Sequence, residues 1–168
     1  MNSEFLLNIA RFFLLLLLQI AVFNNINIFG YISPFPYLLF IVLYPVNTNR
    51  YGLVFWSFLL GLSMDMFSDS GAIHAAACVV LAYFREHIFR LSFGISYEYQ
   101  TIKIGTSPLH RQLIFVSLSV VIHHFILFLL EAFSFMSFGH VLLKTFFSGI
   151  FTIIFSVLII NLFKTSKK

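Results

Sequence analysis

Long apolar runs separated by short polar or basic breaks dominate the chain. Six can be marked, at residues 5–23, 34–46, 51–66, 71–84, 112–130 and 141–163. A helix that crosses the hydrocarbon core of a bilayer needs about 20 residues. Runs five and six meet that length easily, whereas runs two, three and four are short. Short spans persist inside a bundle where the bilayer thins or where neighbours cover their ends. Run two is bracketed by Pro34, Pro36 and Pro45, so it is either a short span or a re-entrant segment. The pattern predicts an all-α integral membrane protein: one transmembrane domain, residues 1–168, of about six helices in one bundle.

The breaks carry the basic residues. Arg50 lies between runs two and three; Arg85, Arg90, Lys103 and Arg111 lie between runs four and five; Lys164, Lys167 and Lys168 follow run six. If spans three to six cross, all of these fall on one side, and by the positive-inside rule that side is the cytoplasm. The opposite connections, 67–70 and 131–140, contain no Lys or Arg. The expected location is therefore the bacterial inner membrane, with a cytoplasmic C-terminus and a cytoplasmic loop at 85–111. The N-terminus is cytoplasmic if run two crosses and is reversed if run two is re-entrant. Within the loop, 97–104 alternates weakly, as either a short hairpin or a solvated linker.

Composition supports a membrane location. Hydrophobic residues make up 60% of the chain, charged residues only 10%, and there are 24 Phe. Soluble domains carry roughly 25% charged residues, so this chain could not cover its own surface in water. The net charge of +4 does not indicate nucleic acid, because the basic residues punctuate apolar runs instead of forming a polar face. The single Cys78 excludes an intrachain disulfide and reads as a small packing residue. The first 25 residues lack a basic region before their apolar core and a small-x-small cleavage site, so they read as an uncleaved first span.

Polar and small residues then recur inside the runs at helical spacing. Ser57, Gly61 and Asp65 follow one another at intervals of four in run three, and Gly71, Ala75, Cys78 and Ala82 at four, three and four in run four. Such stripes let helix backbones approach closely where lipid supplies no hydrophobic push. A tight antiparallel hairpin is expected, with Ser68, Asp69 and Ser70 placed to cap the new helix. Asp65 would accept hydrogen bonds from the same turn or from a partner. Run five carries a heptad-spaced line, His110, Ser117, His124 and Glu131, with His123 beside it; run six carries Lys144, Ser148, Thr152 and Ser156. Both lines are expected to face protein, and Glu131 is expected to pair with Lys144. His123, His124, Glu131, Lys144 and Asp65 are either interhelical hydrogen-bonding and docking points or relay groups of a proton path; most sit in the outer third, which favours packing and docking, and Arg11 is a further polar candidate inside the membrane.

Signatures of catalysis are missing. There is no Walker loop, no His-Glu-x-x-His, no paired cysteines and no Gly-x-Ser-x-Gly elbow. His74, His110 and His140 stand apart without ligand spacing and read as ordinary interfacial residues. No enzyme activity, cofactor or metal is expected.

The order of features, Arg11 and Gln19 in the first run, Ser-Pro-Phe-Pro-Tyr-Leu-Leu in the second, then GLSMDMFSDSGAIHA, resembles the rod shape-determining MreD family. In that family the third span typically ends in Gly-Leu-x-x-Asp followed by Ser and Gly, positions occupied here by Gly61, Leu62, Asp65, Ser68 and Gly71. The stretch HHFILFLLEAFSF at 123–135 is similar to the fifth span of Bacteroidetes-type members. The resemblance implies a non-catalytic scaffold of the rod complex that inserts side-wall peptidoglycan and governs cell shape. Its implied partners are MreC, bound directly, and the actin-like MreB, the polymerase RodA and a class B penicillin-binding transpeptidase. It implies a fold similar to the six-helix substrate-binding subunits of energy-coupling-factor vitamin transporters. A vitamin-binding subunit is thus the alternative function, yet the first run has no Ala-x-x-x-Ala face for a coupling subunit and the outer loops are short. A proton-coupled carrier is a further alternative, requiring His124 or Glu131 to titrate in a water-filled cavity.

Overall fold

A computed structural model describes residues 3–26, 32–46, 49–94, 104–132 and 138–162. All regular elements among these residues are helical. Helix α1 (Ser3–Ala21) continues into a 3-10 turn, Phe23–Asn25. A second 3-10 turn, Pro36–Leu38, leads into the five-residue α2 (Leu39–Leu43). Then come α3 (Arg50–Ser68), α4 (Ile73–Phe93), α5 (Leu109–Ala132) and α6 (Phe138–Leu162), with a 3-10 turn, Ile104–Thr106, ahead of α5. Four stretches are long and apolar enough to cross a membrane: Phe5–Asn25, Arg50–Ser68, Leu109–Ala132 and Phe138–Leu162. Helix α4 has the length but carries Arg85, Glu86 and Arg90 in its second half.

Helices α3 to α6 pack in chain order, each against the next, and α1 lies against α3. Their outward faces are apolar and open, with Leu17, Phe55, Phe146 and Leu158 among the exposed side chains. A helix buried on one side and greasy on the other is the expected arrangement where lipid replaces water around a bundle. The bundle therefore has the build of a multi-pass membrane protein.

At the centre lies α2 with its lead-in turn. Tyr37, Leu38, Leu39, Phe40, Ile41 and Val42 are consecutive and all buried. A helical period would leave one side open; burial of six in a row means the segment is surrounded. Phe12 of α1, Leu60 and Met64 of α3, Cys78 and Leu81 of α4, and Val116 and Val120 of α5 belong to the same core. The chain enters this segment near Gln19, whose amide donates to the Pro34 carbonyl, and leaves it beside Arg11 and Arg85.

Two element boundaries differ from the hydropathy pattern. Run two is helical only over Pro36–Leu38 and Leu39–Leu43; Phe35, ahead of Pro36, is non-helical at φ −122° and ψ 63°, since a residue before proline is steered away from helical geometry. Run four ends at residue 84 by hydropathy, but α4 continues to Phe93. Arg85, Ile88, Phe89 and Phe93 keep its inner face buried, with Phe89 and Phe93 stacked at 4.4 Å and Phe115 of α5 edge-on to Phe89 at 5.2 Å. The expected loop at 85–111 thus begins after residue 93, and most of the weakly alternating stretch 97–104 lies outside the described residues.

Candidate functional site

The stretch GLSMDMFSDSG forms an interlock between α3 and α4. Gly61 faces the first turn of α4 so closely that a Cβ there would lie 2.5 Å from Ala75 Cα and 2.6 Å from the His74 carbonyl oxygen. One turn further along the same face, Asp65 reaches that turn with its carboxylate. Oδ1 accepts from the His74 backbone N–H at 2.9 Å and Oδ2 from the Ala75 N–H at 2.8 Å, while Ser70 Oγ donates to Oδ1 at 2.5 Å. The first N–H groups of a helix have no partner within it, and here a carboxylate from the preceding helix supplies one. Its negative charge also complements the positive end of the α4 dipole. Glycine and aspartate are needed together: without the close approach at 61, the carboxylate would not reach.

The turn between the helices is correspondingly tight. Asp69, Gly71 and Ala72 all have left-handed backbone, with φ of 50°, 64° and 71°. The Asp65 carbonyl accepts from both the Asp69 and Ser70 N–H groups, closing the end of α3. Asp65 thus caps α4, a role the sequence pattern assigns to Ser68, Asp69 and Ser70. Of these, Ser70 supports the Asp65 carboxylate, and Ser68 Oγ instead accepts from Asn24 Nδ2 at 3.4 Å. Gly71 is exposed in the turn, outside the α3–α4 contact, whereas Ala75, Cys78 and Ala82 line it or the core behind it.

The polar residues of α5 and α6 converge on the central segment. The Tyr37 hydroxyl lies 2.9 Å from His74 Nδ1 and 2.8 Å from His123 Nε2, with Cys78 Sγ 3.7 Å away. A hydroxyl has one proton, so Tyr37 donates to one imidazole and accepts from the other. His124 Nε2 pairs with Thr152 Oγ1 at 2.9 Å, and that oxygen also accepts from the Phe35 N–H at 3.0 Å. The Ser33 N–H donates to Ser148 Oγ at 3.2 Å. Gln19 serves both directions, donating to Pro34 O at 3.1 Å and accepting from Tyr37 N–H at 3.4 Å. At the other end of the segment, Arg85 donates to the carbonyls of Val42 and Tyr44, and Arg11 to Leu43 O at 3.4 Å.

One physical reason accounts for this set. A helix crossing a membrane satisfies its own backbone; a non-helical or very short helical segment does not, and the hydrocarbon core of a bilayer holds no water to do it instead. Residues 33–44 therefore need side-chain partners, and these come from α1, α4 and α6. Most of these polar groups have a protein partner, while His123 Nδ1, His124 Nδ1, Ser57 Oγ and Ser156 Oγ are buried among the described residues without one. Among the described residues, no three His, Cys, Asp or Glu side chains are placed to hold a metal ion.

The predicted residues thus divide. Gly61, Asp65 and Ala75 form one contact. His123 and His124 are buried in the core, and Arg11 caps α2. Lys144 Nζ lies 2.9 Å from Glu131 Oε1 and 5.5 Å from the Phe128 ring centre, so the expected ion pair forms at the end of the bundle that also holds Ser68. In run six, Ser148, Thr152 and Ser156 are all buried, as a protein-facing line requires. The heptad line of run five is only partly buried: His124 is enclosed and Ser117 half-buried, while His110 and Glu131, at the two ends of α5, are exposed. The buried face instead follows Gln112, Phe115, Ser119, His123 and Phe128.

His74 is a further correction: it is buried against Tyr37, not at an interface. Tyr37 and Arg85 did not stand out from the sequence. The signal for both was a proline-bracketed run too short to cross as a helix, which must find backbone partners elsewhere. No known protein family, curated protein or solved structure matches this chain.

Proposed function

We propose that this chain is a non-catalytic membrane scaffold of the MreD type, crossing the inner membrane six times and docking MreC at the end of the bundle formed by the α3–α4 turn. On this reading MreB, RodA and a class B penicillin-binding transpeptidase assemble around the pair. The observation that carries it is the Gly61–Asp65–Ala75 interlock, in which the motif residues build a rigid turn with three left-handed residues. A turn held from both sides offers a partner a fixed shape, which lowers the ordering cost of association. The core supports a scaffold over a carrier, since Tyr37 is held between His74 and His123 at 2.8–2.9 Å and His124 is held by Thr152 at 2.9 Å.

Six crossings follow if the central segment counts as one. Residues 32–35 are non-helical and 36–43 helical; at no more than about 3.3 Å and 1.5–2 Å per residue they reach at most roughly 25–29 Å, comparable with the ~30 Å hydrocarbon core. Both termini then lie on the arginine side, the cytoplasm, and the fold is of the energy-coupling-factor substrate-subunit kind.

The test is affinity purification of tagged protein from native membranes in mild detergent, with mass spectrometry of what accompanies it. Recovery of MreC and the wall synthases, lost in Asp65→Ala at equal amounts of folded protein, is the expected result. Recovery of a transporter ATPase module with a bound small molecule would overturn the scaffold reading. Undiminished MreC recovery by folded Asp65→Ala would move the docking surface elsewhere.

A further inference from the structure

The face between α3 and α4 changes character along its length. At Gly61 the two backbones touch, as the 2.5 Å approach of a built Cβ demonstrates. Toward the start of α3 the contact gives way to an open groove of about 720 Å³, walled by Val54, Phe55, Phe58 and Val79. At its head stand Arg50, Tyr51 and Tyr83. Arg50 also borders a second cleft of about 250 Å³ beside Arg85 and Glu86. One side chain thus joins an apolar groove on the outside of the bundle to a charged recess at its end.

We propose that this groove is a binding site for an anionic phospholipid, its phosphate on the Arg50 guanidinium and one acyl chain along Phe55, Phe58 and Val79. Charge identifies the occupant. Arg11, Arg50, Arg85, Arg90 and Arg111 all lie toward this end of the bundle, whereas Lys144 is the one basic residue described at the other and is held by Glu131. Arg50 is positioned by its neighbours: it donates to the Tyr83 carbonyl at 3.2 Å, lies 4.8 Å over the Tyr83 ring and stands 3.8 Å from Glu86. Glu86 also pairs with Arg90 at 2.7 Å, so Arg50 shares this carboxylate and meets it only at the longer distance. Tyr51 and Tyr83, both exposed, suit the headgroup level where one end of a ring is wet and the other apolar. A zwitterionic lipid would fill the groove equally well but would gain less from Arg50. The proposal rests on the membrane placement of the bundle and not on MreC as partner.

The experiment uses the full chain reconstituted in vesicles. Trp56 is the only tryptophan, so Trp56→Phe with Phe58→Trp moves the fluorescent reporter into the groove. Quenching is compared for brominated phosphatidylglycerol and brominated phosphatidylcholine. One arginine near a charged lipid surface contributes about 1 kcal/mol, hence a preference of about fivefold for phosphatidylglycerol is expected. Arg50→Gln in the same background should bring the ratio to about one while helix content is retained and the melting point falls only slightly, as for loss of an exposed ion pair. Equal quenching by the two lipids, or a preference that survives Arg50→Gln, would overturn the proposal. So would relief of the phosphatidylglycerol quenching by millimolar inorganic phosphate, which would make Arg50 a free-anion site. Loss of MreC co-purification alone would leave this result unchanged, so the two proposals fail separately.

Discussion

Replacing Asp65 tests the interlock most directly. Its carboxylate is buried and accepts from Ser70 Oγ, His74 N–H and Ala75 N–H. In Asp65→Ala the Ser70 hydroxyl can turn to water at little cost, but His74 and Ala75 are buried and their N–H groups lose their partners. An orphaned buried donor costs about 1–3 kcal/mol, and losing a cap to alanine typically costs about 1 kcal/mol. These figures describe overlapping losses, so about 3 kcal/mol is expected for the pair of donors. Asp65→Asn keeps one acceptor oxygen and removes the charge at the helix end, for a loss of about 1.5 kcal/mol. For a chain of this size 1 kcal/mol corresponds to about 2–4 °C. Thermal unfolding in detergent, followed by Trp56 fluorescence, should therefore place Asp65→Ala about 6–12 °C below the parent, with Asp65→Asn between them. A melting point for Asp65→Ala within 2 °C of the parent would refute the capping argument. So would an asparagine variant as unstable as the alanine one, since acceptor geometry would then count for nothing.

Other perturbations probe neighbouring contacts by the same melting assay. Gly61→Ala forces a methyl against the Ala75 backbone and should cost about 3 kcal/mol, the upper end for overpacking, because backbone cannot rotate away. Ala72→Gly removes the strain of a left-handed alanine at φ 71° and should raise stability by about 0.5–1 kcal/mol. Tyr37→Phe leaves His74 Nδ1 and His123 Nε2 without their shared hydroxyl and should cost about 1–3 kcal/mol. Glu131→Lys and Lys144→Glu should each lower the melting point slightly, and the double swap should restore it; a double variant no better than the singles removes the ion pair as a contributor.

Much of the fold was legible because membrane helices announce themselves by uninterrupted hydropathy. The stripe Ser57, Gly61, Asp65 is wholly buried, and the line Ser148, Thr152, Ser156 faces inward as its four-residue spacing requires. Where the reading departed from the structure, a local rule met a tertiary demand. Hydropathy ended run four at residue 84, yet Ile88, Phe89 and Phe93 had a core to pack against and the helix went on. Ser68 and Ser70 look like caps in isolation, but Asp65, a full turn upstream, is brought to α4 by the hairpin itself. His74 carries no neighbour in sequence to mark it; its partner Tyr37 is 37 residues away.

By itself the sequence determined that this chain forms a helical bundle with greasy outer faces. Apolar runs near membrane length can satisfy their backbone away from water as helices, and they lack the apolar–polar alternation that a closed barrel needs. It also determined where α3 and α4 touch, since a glycine one turn from an aspartate permits a contact that bulkier residues forbid. Only the tertiary structure decided what the buried polar groups are for. Residues 33–44 run through the centre as a non-helical lead-in and a helix too short to bond all its own ends, and Gln19, Arg11, Arg85, Ser148 and Thr152 answer them from three other helices. Hydrogen-bond partners that distant in the chain leave no periodicity to read; they exist only once the helices have packed.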